Sequence, residues 1–353
     1  MSARQNYLIY LDARIHARRG DLLPVSSYEE MLAYNDIGLV VKHLLSTPYE
    51  REIADALLHH QDGDAVEAGV GRHLDRIFRE LMRFAARMPG SGGELAFFMR
   101  RWDLTAIKAQ LRRAAHGSAG IFTDLCTGPS LPWPLVESLA ASAGLEELVP
   151  RLRLLFPDIC RGLPAILESG ADNPSVLLQA LETELDNAFF GRFPPFAPRR
   201  GNTGRVLAEY MALEVDRINI RTALSEVSWK ARQGEPPRWL KGGVVTPEML
   251  DAMLASGSME EAIIILESSP YRAVHQVFYH AVLQGRLSGL DRRFEMIFVE
   301  KLQKLVHTRP FGGALFMQYV WMKSMEAANL RILARGAEAR LPAGRIREEL
   351  IYV

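Results

Sequence analysis

"FMQYVWMKSMEAANLRILARGAEARLP", Phe316 to Pro342, opens as an apolar helix and closes on a basic, glycine-ended segment before a Leu-Pro turn. Between the two it sets Glu326 and Asn329 one helical turn apart, beside the apolar face. A carboxylate and an amide next to a core-forming stripe are costly there unless something binds them. The arrangement recurs. "ALEVDRINIRTALSE" at 212–226 and "RRWDLTAIKAQLRRA" at 100–114 align with "KSMEAANLRILARGA" at 323–337. Superposing Asp103, Asp216 and Glu326 puts Ile107, Ile220 and Leu330 at +4, Lys108, Arg221 and Arg331 at +5, and Leu111, Leu224 and Ala334 at +8. At +3 stand Asn219 and Asn329 in the later copies, and Ala106 in the first.

Further markers keep the same order. "YEEML" ending at Leu32, "LVESL" ending at Leu139 and "TPEML" ending at Leu250 precede the acidic anchors at similar distances. Between marker and anchor lie "DAVEAGVGRHLDRIF", "LLQALETELDNAFF" and "LSGLDRRFEMIFVEKL", each an acidic amphipathic helix by its spacing. "STPY" at 46–49 is answered by "SSPY" at 268–271, whereas the middle copy offers only "LLFPDI". Leu, Ala, Arg, Glu and Met are abundant and alternating β-branched runs are scarce, so the chain reads as all-α. Breaks fall at "MPGSGG" (88–93), "TGPSLPWP" (127–134), "GRFPPFAPRRGNTG" (191–204), "GEPPRWLKGG" (234–243) and "TRPFGG" (308–313). The expectation is one helical subdomain of about 110 residues used three times, over 1–125, 126–240 and 241–353.

On a helix, the acid at 0 and the apolar residues at +4 and +8 share a face, continued upstream by Phe97, Tyr210 and Tyr319. The carboxylate therefore sits at the edge of a core, where it needs hydrogen bonds from a facing helix, a loop amide or an Arg. Asn at +3 both donates and accepts, which suits tying the end of a neighbouring helix. Catalysis concentrates at one pocket, so an acid present in every copy reads as a repeated structural tie rather than a metal ligand or a general acid.

The bulk numbers exclude several classes. Lys+Arg and Asp+Glu are both 42 in 353 residues, so there is no global field for nucleic acid, and partners must be found through local patches. The two cysteines, Cys126 and Cys160, form neither a disulfide framework nor a metal-ligand spacing, which suits a reducing compartment. The opening apolar run, Tyr7 to Leu11, stops at Asp12 and is not a secretory signal. No stretch approaches the roughly 18 uninterrupted apolar residues of a membrane span, so a soluble chain is expected, able to sit on a membrane complex.

No recognisable reagent emerges. There is no Walker-type phosphate loop, and "GVG" at 69–71 lacks a preceding strand and reads as a helix irregularity. "DGD" at 62–64 reads as a solvated loop. His59 and His60 are adjacent and His275 and His280 are five apart, so neither pair makes a His-x3-His zinc face. No Ser lies in a Gly-x-Ser-x-Gly elbow, and nothing local activates Cys126 or Cys160. Two basic loops remain as interface candidates. One carries Arg192, Arg199, Arg200 and Arg205; the other carries Lys230, Arg232, Arg238 and Lys241 with exposed-looking Trp229 and Trp239. Such loops dock on acidic protein or anionic headgroups.

In order and spacing these motifs resemble the C subunit of the V-type and A-type rotary ATPases, known as the d subunit in eukaryotes. The C-terminal signature is carried by Tyr319, Lys323, Glu326, Asn329, Leu330, Arg331, Ala334, Arg335, Gly336, Leu341 and Pro342. "YLDARIHARRGDLL", "STPY", "LETELD" at 181–186, "LEVDRINIRTAL" with Asp216, Asn219 and Arg221, and "WLKGG" follow the same pattern, so the likeness spans essentially the whole chain. Ala106 departs from it, standing where the family usually has Asn. The resemblance implies a funnel of three similar helical subdomains in pseudo-threefold arrangement. It also implies a non-catalytic central-stalk rotor subunit without cofactor, on the cytoplasmic face of a membrane complex. There it would be a socket between the rotating shaft and the proteolipid ring, coupling ATP turnover to passage of protons or sodium ions. The alternative is a helical-repeat scaffold unrelated to rotary ATPases, although repeats of about 110 residues are long for solenoids, whose units run about 20 to 50.

Overall fold

The computed structural model describes residues 3–88, 92–116, 127–169, 173–191, 202–228, 237–272, 275–283, 287–308 and 313–352. Among them the regular structure is helical, apart from an isolated bridge between Gly128 and Leu131 and a 3-10 turn at Ile265–Ser268. No helix among the described residues is long and apolar enough to cross a membrane. The chain forms two compact units: Met1–Ala188 with Leu315–Val353, and Phe189–Ala314.

The first unit begins with α1 (Ala3–Arg19) and three short helices, α2 (Val25–Tyr34), α3 (Ile37–Leu44) and α4 (Glu50–Leu57). The long pair α5 (Asp62–Arg87) and α6 (Gly92–His116) follows, then α7 (Trp133–Ala140), α8 (Leu145–Leu155), α9 (Leu163–Glu168) and α10 (Pro174–Phe190). From the C-terminal part of the chain it takes α16 (Ala314–Glu338) and α17 (Ala343–Glu349). The second unit holds α11 (Asn202–Ser228), α12 (Pro247–Leu254), α13 (Met259–Ile264), α14 (His275–Leu283) and α15 (Leu287–Thr308).

The long helices fall into two kinds. On α5, buried Leu74, Ile77, Phe78, Leu81 and Phe84 alternate with exposed arginines, so one face meets α4 and α6 while the other meets water. By contrast, α16 buries Phe316, Met317, Tyr319, Val320 and Trp321 in near succession, and Lys323, Glu326, Asn329 and Arg331 are also below a tenth exposed. A helix covered all round is central, and its polar groups have to be satisfied by protein. Most of α6 is likewise buried, with Phe98, Met99, Asp103, Ala106 and Ile107, and most of α11, with Tyr210, Met211, Glu214, Asp216, Asn219 and Ile220. The buried surface of these three helices is wider than one apolar stripe, and each keeps a narrower accessible side, with Arg100 and Thr105 on α6 and Arg205 and Arg221 on α11.

Local chemistry starts and stops the short helices. Thr246 caps α12 by accepting the Met249 amide, with Pro247 at the first helical position. Ser258 caps α13 by accepting the Glu261 amide, and the Glu261 carboxylate reaches back to the Gly257 amide. Asp36 caps α3, and Asn35 closes α2 in the left-handed region at φ 44°.

The "GVG" at 69–71 is not an irregularity: α5 runs through it unbroken, and the "DGD" at 62–64 is the first turn of that helix rather than a loop. Both glycines are close-packing points. A Cβ on Gly69 would lie 2.5 Å from Ile53 Cδ1 of α4, and one on Gly71 would lie 2.1 Å from the Trp133 ring of α7. Gly to Ala in a helix interior ordinarily stabilises by about 1 kcal/mol. Here overpacking against a fully buried indole costs about 1–3 kcal/mol and wins. Gly71→Ala is therefore expected to lower stability, read as a lower denaturant midpoint at unchanged slope.

Candidate functional site

The repeated acids sit at three buried ties of common design. Asp216 of α11 is fully buried, and its carboxylate accepts the Val245 amide at 3.0 Å, the Val244 amide at 3.1 Å and the Tyr271 hydroxyl at 2.7 Å. Glu326 of α16 accepts the Leu23 amide at 2.7 Å, the Tyr49 hydroxyl at 2.7 Å and the Lys323 ammonium. Asp103 of α6, 3% exposed, accepts the Ser130 amide at 2.8 Å. In each case the amide donors lie just before a short helix, α12, α2 and α7 respectively. The tie therefore fixes the entry of that helix against the central one.

Close approach of backbone to carboxylate requires glycine twice. A Cβ on Gly243 would stand 2.1 Å from Asp216 Oδ1, and one on Gly128 would stand 2.3 Å from Asp103 Oδ1.

The asparagines make a second clamp. Asn219 donates to the Leu240 carbonyl and accepts the Leu240 amide, both at 2.9 Å. Asn329 does the same with Ile351, at 2.8 and 3.0 Å. One side-chain amide thus satisfies both polar groups of one extended residue. Ala106 is fully buried in α6 and has no group with which to do this.

Two of the basic residues at +5 lie against acids. Lys108 donates to Asp186 of α10 at 2.5 Å, and four residues on, Arg112 pairs with Glu182. Arg331 is buried beside Glu67 of α5, whose carboxylate Arg335 also holds at 2.6 Å together with Asp64 at 2.7 Å. Arg221 is exposed on α11.

Sequence reasoning did not assign the tyrosines or the cation. Tyr49 is fully enclosed, stacked at 4.1 Å on His73, with the Lys323 ammonium 4.6 Å from its ring centre. Burial and the neighbouring Glu326 push its hydroxyl well up, so it stays a donor. His73 is held down by burial, and it bonds Glu52, which Arg76 also grips at 2.6 Å. Burial acts against the Glu52 carboxylate, but the bonds from His73 and Arg76 outweigh it and bring it to about 2. The signal was present in "STPY" and "SSPY", whose last residues are these tyrosines; in "LLFPDI" the residue after proline is Asp158, which is exposed.

Burial opposes the charged form of both Asp103 and Asp216. It pushes Asp103 up to about 6 despite the Ser130 and Leu131 amides. Burial likewise raises Cys160, to about 12, the opposite of an activated thiol.

Of the basic loop residues, Arg192, Arg199, Arg200, Lys230 and Arg232, with Trp229, lie outside the described residues. Arg205 is not in a loop; it is exposed within α11. Arg238 and Lys241 are exposed, but Trp239 is half-buried, its indole donating to Asp251 at 2.7 Å.

Asp216→Ala strands two buried amides and a hydroxyl, each costing about 1–3 kcal/mol when unpaired, so a loss on the order of 3 kcal/mol or more is expected in chemical denaturation. Tyr271→Phe removes one bond and is expected to cost about half as much. Asp103 has its own signature. Its folded pKa lies above the ordinary value near 4, so the charged form opposes folding at neutral pH, and this penalty is relieved as pH falls through about 6. Relative to Asp103→Asn, the wild type is expected to gain about 2 kcal/mol between pH 7 and pH 4.5; parallel stability curves in the two proteins would show the carboxylate to be of ordinary pKa.

A family model described as ATP synthase (C/AC39) subunit matches residues 11–349. The chain is 24% identical over 362 residues to the C subunit of the A-type ATP synthase of Methanosarcina mazei, covering 98% of this chain and 92% of that protein. It is 27% identical over 357 residues to the C subunit of the V-type ATP synthase of Thermus thermophilus, covering 97% and 98%. With the A-type C subunit of Haloferax volcanii it shares 24% identity over 348 residues, covering 98% and 97%. The match over nearly the full length removes the unrelated-scaffold alternative, and the chain belongs to the ATP synthase (C/AC39) subunit family, that of the C subunits of A-type and V-type ATP synthases.

Proposed function

We propose that the chain is a non-catalytic rotor subunit of a membrane ATPase complex, a socket that receives the central shaft on one side and stands on the proteolipid ring on the other, at the cytoplasmic face. ATP turnover in the head would drive the shaft, and the socket would pass torque to the ring so that protons or sodium ions cross. The observation that carries this reading is the use to which the three recurrent acids are put. Asp103, Asp216 and Glu326 accept backbone amides at helix entries. A torque-bearing adaptor needs stiffness more than reactive groups, and packed helices with satisfied polar contacts deform little.

The ties also support a module written three times, over 1–125, 126–240 and 241–353. Asp103 in the first stretch binds the start of the second, Asp216 in the second binds the start of the third, and Glu326 in the third binds Leu23 in the first. Each link runs from one module to the next and the last returns to the beginning, which is what repetition of one module with one kind of joint would give. Lys108, Arg331 and Arg335 repeat that order with acids on α10 and α5. In this reading Arg192, Arg199, Arg200, Arg205, Lys230, Arg232, Arg238 and Lys241 supply charge toward ring or lipid.

The experiment is affinity purification of the tagged chain from a membrane extract. Shaft and ring subunits are expected to come down with it, and recovery of neither would defeat the socket reading. Reversing Arg199 and Arg200 to Glu is expected to lower ring recovery at least several-fold while shaft recovery is kept; unchanged recovery of both would remove that loop from the interface.

A further inference from the structure

The five arginines of α5 form one stripe. Arg72, Arg76, Arg79, Arg83 and Arg87 are spaced four, three, four and four residues apart. At 100° and 1.5 Å per residue they fall within an arc of about 80° over about 22 Å of helix. No lysine occurs on α5, although the whole chain is electrically balanced. The stripe is therefore a local excess of one kind of cation, the planar fork that binds carboxylate or phosphate with two parallel bonds.

The upper part of the stripe is occupied. Arg76 holds Glu52 at 2.6 Å, and Arg79 holds Asp75 at 2.9 Å through one nitrogen while its side chain stays exposed and open to a further carboxylate. Glu80, which lies between the last members, is engaged by Arg18 of α1, with Arg14 3.7 Å away. Arg83 and Arg87 remain, both exposed, one turn apart and without a carboxylate partner among the described residues. They line a cavity of about 480 Å³ with Arg76, Arg79, Glu80 and Phe84. Phe84, the one apolar residue of that lining, is fixed in place: it is buried, the Arg14 guanidinium lies 5.4 Å from its ring centre, and its carbonyl accepts the Tyr7 hydroxyl at 2.7 Å.

We propose that the Arg79–Arg83–Arg87 end of α5 is a docking surface for an acidic helical face on a partner subunit of the complex. Residues four apart on two antiparallel or parallel helices meet as rows, so carboxylates at i, i+4 and i+8 on the partner match these three guanidiniums. The intramolecular pairs on the same stripe show carboxylate as the group these side chains take. A lipid surface fits less well, because a helix lying on a membrane inserts apolar side chains beside its cations, and no large apolar residue on α5 is among the exposed ones. The proposal deepens the rotor reading by naming one contact and the chemistry of its partner.

The test uses the full-length chain, its Arg83→Glu/Arg87→Glu variant, and Arg153→Glu on α8 as an exposed control. A helical peptide with Glu at i, i+4 and i+8, and a permuted peptide of equal charge, serve as probes beside the subunits recovered from membrane extract. The in-register peptide is expected to bind the wild type, more weakly as salt rises, and about tenfold or more less tightly to the double variant at unchanged melting temperature. The double variant is also expected to lose one acidic subunit from the recovered complex, while Arg153→Glu loses none. Equal binding of both peptides, or a complete complex with the double variant, overturns the proposal but leaves the rotor reading standing. In-register binding by a chain that recovers no ATPase subunit keeps the surface and overturns the rotor reading. Binding to anionic phosphatidylglycerol vesicles in place of the peptide overturns it in favour of lipid.

Discussion

A buried carboxylate gripping backbone amides is the interaction on which the rest of this molecule depends. A helix that is apolar on all sides can sit at the centre of a bundle, but it has no means of specifying where a short neighbouring helix begins. Hydrophobic contact is non-directional, so it fixes proximity and leaves register open. Asp216, with two amides and a tyrosine hydroxyl converging on two oxygens, fixes both position and angle. Glu326 does so with Leu23 and Tyr49, and Asp103 with Ser130. The glycines at 128 and 243 are consequences, since a side chain at either would push the amides off the acid.

The three ties are not equal, and the differences follow from single residues. Where a tyrosine follows the proline of the marker, the carboxylate gains its hydroxyl; where Asp158 follows it, Asp103 is held from the Ser130–Leu131 segment instead, and burial pushes it up to about 6. Where Asn stands at +3, a following extended residue is clamped through both its polar groups; where Ala106 stands, it is not. Both departures concern the joint that begins on α6. Glu326 shares a buried network with Lys323, Tyr49 and His73.

Much of this was legible in the residues. The helical period and the repeated acid with its apolar partners at +4 and +8 follow from local spacing, as does the family likeness. The all-helical class is visible for the same reason: propensity and periodicity are properties of neighbours in the chain. The acid's need for partners was also readable, because the cost of burying charge does not depend on which group relieves it.

Which group relieves it could only be decided in three dimensions. Leu23 lies 303 residues from Glu326 along the chain, and nothing in either segment names the other. Likewise the "GVG" of α5 looks like an interruption until Ile53 and Trp133 are seen pressed onto it. The same is true of the arginine stripe, whose spacing is plain in "RHLDRIFRELMRFAAR" but whose free end appears only once Glu52, Asp75 and Glu80 have found their partners. Sequence determines what each helix has to bury and which polar groups it carries with it. Tertiary structure alone assigns the partners, because hydrogen bonds and ion pairs are formed by distance in space and their donors come from segments that chain order leaves far apart.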